Sequence, residues 1–413
     1  MSVPFFRPSV SQAEIDEVVA CLKSGWLTTG PRTKQFETEF AAKVGAKHAI
    51  ALNSCTAALH LALEAVGLRR GDLVLVPAMT FAATAEVVRY FEATPVLVDC
   101  EPKTLCIDVQ KLAATVEAIQ AGKPVAGLKG PYGPIRAIIP MHYGGQMADV
   151  DGVNAVGKKL GVPVIEDAAH TLPAFTRSNA TAPWRQSGTT AGITCFSFYA
   201  NKCITTGEGG MAVTDDDQWA ARMRVMGLHG ISKDAWKRFT SEGSWYYEID
   251  APGFKYNLTD IASAVGLHQL RRADELWKDR VRVAKRYGEK LSQVPGLELP
   301  VELADRQHSW HLYAVRLKAG AWSFPGDDGT PGHARGQFIE QLKAKGITTS
   351  VHWMPLHLHP YYKRTYGYGP GLFEVAEDVW PRLVSLPIFP GMTEAEQDEV
   401  VSTIAELAKK FGK

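Results

Sequence analysis

Hydrophobic residues in this chain fall into short, nearly continuous runs, and helically spaced stretches lie between them. HAIALN (48–53) precedes TAALHLALEAVG, LVLVP (73–77) precedes AATAEVVRYFEA, and TPVLVD (94–99) follows at once. AIIPMH (137–142), PVIEDAA (163–169), ITCFSFY (193–199) and GMAVTD (210–215) complete the series. Strands that are apolar at successive positions are buried on both faces, and intervening helices make parallel pairing the expected connection. The pattern predicts an α/β fold whose mainly parallel sheet is covered on both sides.

From Thr259 to Val294 the spacing becomes helical without interruption by proline, with only Gly266 and Gly288 inside. Such a helix is expected to carry the chain into a second, smaller C-terminal α/β domain. There HSWHLYAVRL and ITTSVHW read as strands, and ARGQFIEQLKAKG and TEAEQDEVVSTIAELAKKFG read as helices. The expected division is 1–265, a large domain with an N-terminal arm, and 266–413. GLKGPYGPIR (127–136) and GAWSFPGDDGTPGHA (320–334) read as exposed insertions.

Composition narrows the ligand. The chain has 413 residues, 45 basic and 44 acidic side chains and a net charge of +1, so it has no basic footprint for nucleic acid. A small-molecule ligand is the better expectation. No apolar run approaches membrane-spanning length, and the start lacks the basic head and apolar core of a secretion signal, so no membrane association and a cytoplasmic location are expected. The six cysteines, Cys21, Cys55, Cys100, Cys106, Cys195 and Cys203, form no CxxC pair and read as buried thiols. The H-x-H of His357 and His359 offers too few ligands for a metal, and none is expected.

One stretch breaks the apolar logic. FSFYANKCITTGEGG (196–210) sets Lys202 between an aromatic run and a glycine-rich turn. Burial favours neutral lysine, and neutral lysine is a nucleophile whose common covalent use is a Schiff base with a carbonyl or with pyridoxal phosphate. A lysine reaching out of a loop into water fits the local sequence equally well. In PVIEDAAH, Asp167 stands at the carboxyl end of an apolar strand, where ligands of open α/β sheets sit. It could pair with a protonated ring nitrogen, or merely cap a helix. His170 could brace Asp167 or a ring hydroxyl. NSCTAALHLAL begins a helix directly after a strand, so free N–H groups with the Ser54 and Thr56 hydroxyls suit a phosphate, although a plain cap has the same appearance. Ser197 could add a hydroxyl there. Phe81, after another strand end, could stack on a flat ring or simply belong to the core.

Taken with GWLTTGP, VPAMTFAATA, MHYGGQMADVD, VIEDAAH, PGFKYNLTDIASAVGLHQL, VHWMPLHLHPYY and SLPIFPGMTEAEQDEVV, these stretches resemble the DegT/DnrJ/EryC1/StrS sugar aminotransferases. That family consists of pyridoxal-phosphate enzymes of fold type I, and the resemblance spans nearly the whole chain. It implies that Lys202 is the imine lysine, that Asp167 meets the pyridine nitrogen, and that Phe81 covers or flanks the ring. Cys55, through its N–H, with Thr56 and Ser197 would hold the phosphate, and His170 occupies a position that is His or Gln in the family. GFKYN (253–257) sits where many members have G-x-N-x-R, so Lys255 or Asn257 would reach the phosphate of the neighbouring subunit in a homodimer with shared active sites. Trp26, Thr28, Thr29, Gly30 and His311 would line the sugar-nucleotide entrance.

The implied reaction is ping-pong transfer of an amino group from L-glutamate to a keto group of a nucleoside-diphosphate sugar, at C4 with C3 as the alternative. The G-[FY]-K-Y-N form tilts the resemblance towards UDP sugars. The dehydratase branch of the family has His in place of the lysine, and Lys202 argues against it. A non-catalytic pyridoxal-phosphate regulator would require a DNA-binding module for which neither end has spare sequence. A nicotinamide dehydrogenase lacks support because no G-x-G-x-x-G follows the first strand.

Overall fold

The structure, a computed structural model, describes residues 2–231, 247–326 and 329–413. Helices α1 (Gln12–Ser24) and α2 (Pro31–Val44) lead into β1 (His48–Leu52). Strands and helices then alternate: α3 (Cys55–Ala65), β2 (Leu73–Pro77), α4 (Ala82–Arg89), β3 (Thr94–Val98), α5 (Val109–Gln120), β4 (Ile135–Ile138), α6 (Val150–Leu160) and β5 (Ile165–Asp167). A small hairpin of β6 (Phe175–Thr176) and β7 (Arg185–Gln186) precedes β8 (Ile193–Ser197), β9 (Gly210–Thr214) and α7 (Asp217–Met226).

Parallel bridges Ile138–Val164 and Met141–Asp167 join a three-stranded and a four-stranded sheet into one surface, ordered β3-β2-β4-β5-β8-β9-β1. β2 runs parallel to β3 and β4, and β5 parallel to β8, while β9 is antiparallel to both neighbours. The mainly parallel sheet expected from the apolar runs is therefore present, with one reversed strand. Successive side chains of β2 alternate between two cores: Val74 and Val76 pack with α3, α4 and α7, and Leu73 and Leu75 pack with α5 and α6. That alternation is why both positions of the period must be apolar.

The helical stretch from Thr259 is two helices rather than one. α8 (Asp260–Arg271) stops at Arg272, whose φ of −93° and ψ of 0° leave the helical region, and α9 (Ala273–Leu291) starts anew. Beyond it, β10 (Leu297–Glu298), β12 (Tyr313–Leu317) and β13 (Leu383–Leu386) form an antiparallel sheet in the order β10-β12-β13. Its core takes residues from α9, α10 (His333–Ala344) and α13 (Glu394–Phe411), together with Val3 from the chain start. β11 (Arg306–Gln307) leaves this region to pair with β6. Residues of α11 (Pro360–Tyr366) and α12 (Glu374–Val379) pack back into the core that contains α3 and α4.

Two local expectations change. ITTSVHW forms no ladder: only Ile347 bridges Val3 and Ser350 bridges Ser385. The stretch 320–334 is not wholly exposed, because Trp322 and Phe324 are buried in the second core and the Trp322 indole donates to the Gly296 carbonyl at 2.7 Å. Residues 327 and 328 of that stretch lie outside the described residues.

Candidate active site

β5 and β8 are parallel neighbours, with Asp167 opposite Cys195, so their carboxyl ends open on the same edge of the sheet. Asp167 ends β5 and is buried. Its Oδ2 accepts the Thr84 hydroxyl at 2.7 Å and its Oδ1 accepts the Ala169 N–H at 3.2 Å. Burial raises its pKa against the pull of those two bonds and of nearby Lys202. Past β8, a tight turn in which the Lys202 N–H donates to the Tyr199 carbonyl at 2.9 Å brings Lys202 back towards this carboxylate. Burial lowers the pKa of its ammonium, with Asp167 acting against that shift. An amine with this environment is easier to hold neutral, as a nucleophile requires.

Beside this pair lies the start of α3. Ser54 is its N-cap and accepts the Ala57 N–H at 3.0 Å, while the Ala58 N–H bonds the Ser54 carbonyl. The amides of Cys55 and Thr56, at the first two helical positions, have no intrahelical acceptor and point out of the helix end. β9 passes this end closely enough that a Cβ on Gly210 would stand 2.5 Å from the Cys55 nitrogen, so only glycine fits. Ser197 pairs with Gly210 across the β8–β9 ladder and is thereby carried to the same helix start. Cys55 itself is buried, its thiol held protonated by burial, and its sulfur contacts the Cys195 carbonyl at 3.5 Å.

Aromatic and imidazole rings form a connected chain nearby. Phe81 is the N-cap of α4 and is 56% exposed. It leans on Trp353 with 6.2 Å between ring centroids, and Trp353 stacks on His170 at 5.2 Å. His170 is buried, and its Nδ1 accepts the Gly144 N–H at 3.1 Å, which leaves Nε2 to carry the proton of the neutral ring. Burial, reinforced by the Lys202 charge, keeps His170 neutral. His311 lies 4.3 Å from it, and the buried His311 Nδ1 has no hydrogen-bond partner among the described residues.

Asp167, Lys202, Cys55, Ser197, His170 and His311 therefore converge. Thr56 joins them through the start of α3 and Phe81 through Trp353, whereas Trp26, Thr28, Thr29, Gly30, Lys255 and Asn257 form a second group. Trp26 through Gly30 make a loop before α2, in which the Trp26 indole donates to the Thr29 carbonyl at 3.1 Å. Thr28 accepts the Asp260 N–H at 3.1 Å through its carbonyl. The Asp260 carboxylate, fully buried, accepts the N–H groups of Gly30, Arg32 and Thr33 at 2.7, 3.1 and 2.9 Å, and the Thr33 hydroxyl at 2.8 Å. Asn257 donates to the Thr29 hydroxyl at 2.6 Å, and the Lys255 ammonium donates to the Asn257 amide oxygen. GFKYN runs beside the end of β1, with the Asn53 N–H on the Tyr256 carbonyl at 2.7 Å. Lys255 thus bonds Asn257, and Asn257 bonds Thr29 of the loop before α2.

Sequence reasoning passed over Thr84, Thr80, Trp353, Gly210 and Asp260. The i, i+4 threonine spacing in TFAAT was the one local signal for the first two. His357 and His359, the H-x-H pair, bond Glu377 and the Met354 carbonyl at 3.0 and 3.2 Å.

A profile of the DegT/DnrJ/EryC1/StrS aminotransferase family matches residues 8–405. The chain belongs to this family. Among curated proteins, this aminotransferase is 42% identical over 408 residues to the spore coat polysaccharide biosynthesis protein SpsC of Bacillus subtilis, covering 98% of this chain and 97% of that one. Among solved structures it is similar to the putative sugar aminotransferase Spr1654 of Streptococcus pneumoniae, known in PLP and PMP forms. Against the PLP form the TM-score is 0.85, at 30% identity over 99% of both chains. It is also similar to DesV of S. venezuelae, solved in complex with a ketimine intermediate, with a TM-score of 0.83 and 28% identity over 99% of both chains. The fold of this family member is that of these sugar aminotransferases.

Proposed function

We propose that this chain is a pyridoxal-phosphate aminotransferase that moves an amino group from L-glutamate to the keto group, at C4 with C3 as the alternative, of a nucleoside-diphosphate sugar. The observation that carries the reading is the placement at one sheet edge of the buried Asp167 carboxylate, which ends β5, and Lys202, which follows the turn after the neighbouring parallel strand β8 and whose ammonium is disfavoured by burial.

The residues present fit the cofactor. The Cys55 and Thr56 amides with Ser197 make an anion site at a helix start. The exposed face of Phe81 is a platform for a flat ring. Asp167, pushed towards protonation by burial, would be relieved by a pyridinium. When bound, pyridoxal phosphate supplies an aldehyde carbon for an amine and a ring that withdraws electrons from it. Asp167 would hold the ring nitrogen protonated. His170, with its Nε2 proton, would be a donor to the ring oxygen. Lys202 Nζ is the nucleophile and the base that takes up a proton and returns it, a role worth typically 10²–10⁴-fold.

Trp26, Thr28, Thr29, Gly30 and His311 line the sugar-nucleotide entrance in this reading, and the GFKYN form favours a UDP carrier. Two chains form a homodimer in which Lys255 or Asn257 completes the partner's phosphate site. Support for the pairing comes from Ile15, Val19 and Leu22, which lie along α1 at helical spacing and are 48, 41 and 51% exposed.

The test adds L-glutamate and a panel of keto-sugar nucleotides to the purified protein and follows 2-oxoglutarate. Formation of 2-oxoglutarate that depends on one sugar nucleotide is expected. Its absence with every 3-keto and 4-keto sugar nucleotide, from protein carrying the cofactor, would refute the substrate assignment.

A further inference from the structure

We propose that Thr84, with Thr80 behind it, is a positioning pair that fixes the orientation of the Asp167 carboxylate and holds it charged for the ring nitrogen. The inference rests on the reading of Asp167 and Lys202 given above. Thr84 and Thr80 are 0 and 1% exposed, so no bulk water competes for their hydroxyls. Thr84 Oγ1 lies 2.7 Å from Asp167 Oδ2 and 2.7 Å from Thr80 Oγ1. A hydroxyl has one proton to give. Thr84 gives its proton to the carboxylate, so the Thr80–Thr84 bond is donated by Thr80. Both dipoles then point towards Asp167, and a polarised donor chain of this kind strengthens its terminal bond.

The Ala169 N–H occupies the other carboxylate oxygen. With one fixed donor on each oxygen, rotation about the Cβ–Cγ bond is restrained and a lone pair remains for a ring N–H. The same short helix carries Phe81 at its N-cap and Thr84 one turn inside. α4 therefore sets both the ring platform and the partner of the ring nitrogen. Other groups acting on Asp167 are Lys202 from the turn after β8 and His142 from the segment after β4. The thiols of Cys55 on α3 and Cys195 on β8 are also affected by the carboxylate. Among these, none donates a hydrogen bond to its oxygens, so Thr84 is the side-chain donor that sets its geometry.

The test titrates the apo forms of the parent, Thr84→Val, Thr84→Ser and Thr80→Val with pyridoxal phosphate. It reads the apparent Kd and the pH at which the linkage to Lys202 loses its proton, seen in the visible absorbance. Valine keeps the shape of threonine and removes the donor. Thr84→Val is expected to bind about tenfold more weakly, the scale of a hydrogen bond to a charged group. Its absorbance midpoint is expected to move to higher pH, because a less firmly protonated ring disfavours the linkage proton less. Thr84→Ser restores both readings, and Thr80→Val shows a smaller change in the same direction. Unchanged affinity and midpoint in Thr84→Val, or a serine variant as impaired as valine, would overturn the pair. If Thr84→Val does not fold, an unmoved midpoint in Thr80→Val overturns it instead. Borohydride labelling of the parent separates the two readings. Label on a lysine other than Lys202 overturns the site assignment and the pair with it, whereas label on Lys202 with an unmoved midpoint overturns the pair alone.

Discussion

Asp260 offers the sharpest stability test outside the cofactor site. Helix α2 has Gly30 at its N-cap and so no side-chain cap of its own. The Asp260 carboxylate, from the first turn of α8, does that work across the helix pair. Oδ1 takes the Gly30 and Thr33 amides and the Thr33 hydroxyl, and Oδ2 takes the Arg32 amide. Asp260→Asn keeps the shape and one acceptor oxygen, which would stay with the three donors on Oδ1. Its new NH₂ would face the Arg32 N–H, so one charge-assisted bond is lost and two donors oppose each other. The negative charge at the start of α2 disappears as well. Together these cost about 2–4 kcal/mol. Asp260→Ala leaves every one of these donors without its acceptor and costs about 3–5 kcal/mol. Equilibrium urea unfolding of the apoprotein at one protomer concentration, followed by circular dichroism and tryptophan fluorescence, measures the change where both probes share a midpoint. The same carboxylate anchors the loop from Trp26 to Gly30, so if that loop lines the sugar-nucleotide entrance as proposed, KM should rise in Asp260→Asn more than kcat falls. A stability change within about 0.5 kcal/mol for Asp260→Asn would refute the reasoning.

Asp167→Asn should fold and bind cofactor but lose most turnover in the glutamate assay, since a neutral amide no longer holds the ring nitrogen protonated; near-parental rates would reduce Asp167 to a structural cap. Mixing Lys202→Ala with a Lys255→Ala/Asn257→Ala double variant should restore part of the activity after subunit exchange, and exchange proven by labelled chains without recovery would sink the shared site. Glu14 caps α1 through Ser11 and bonds Gln269. Burial would raise its pKa, but these bonds hold it at about 2. A depressed pKa gives stability that is present above the ordinary carboxylate range and lost as pH falls towards that value. The parent should therefore lose stability between about pH 4.5 and pH 2, and Glu14→Gln should flatten that part of the urea-midpoint curve.

The strands of the main sheet were legible because both their faces are buried, so LVLVP and TPVLVD announce themselves without their partners. Lys202 and Asp167 were legible for the opposite reason: each is a polar residue at the end of such a run. What escaped depends on residues far apart in the chain. Thr84 acquires its meaning only from Asp167, 83 positions away, and Asp260 from Thr33, 227 positions away. The break at Arg272 has no glycine or proline to mark it, since both flanking helices keep helical spacing. Trp322 and Phe324 were hidden by the glycines and proline around them, which signal turns whether or not the aromatic between them is buried.

The order β3-β2-β4-β5-β8-β9-β1 has a consequence for assembly. β1 stands at the sheet edge, and its ladder is with β9, His48 meeting Thr214. The helix start that presents the Cys55 and Thr56 amides hangs directly from β1. Closing so long a loop is slow and becomes favourable only after the contacts within it exist. The β2–β3–β4 half can form from near neighbours, whereas the contact between β9 and the start of α3 must wait for the chain to return from residue 214. In pulsed hydrogen exchange during refolding, amides of β2 and β3 should gain protection before those of β1 and β9; simultaneous protection would contradict this order. A chain stalled halfway would hold a well-formed half-sheet while the start of α3 still lacked β9 beside it.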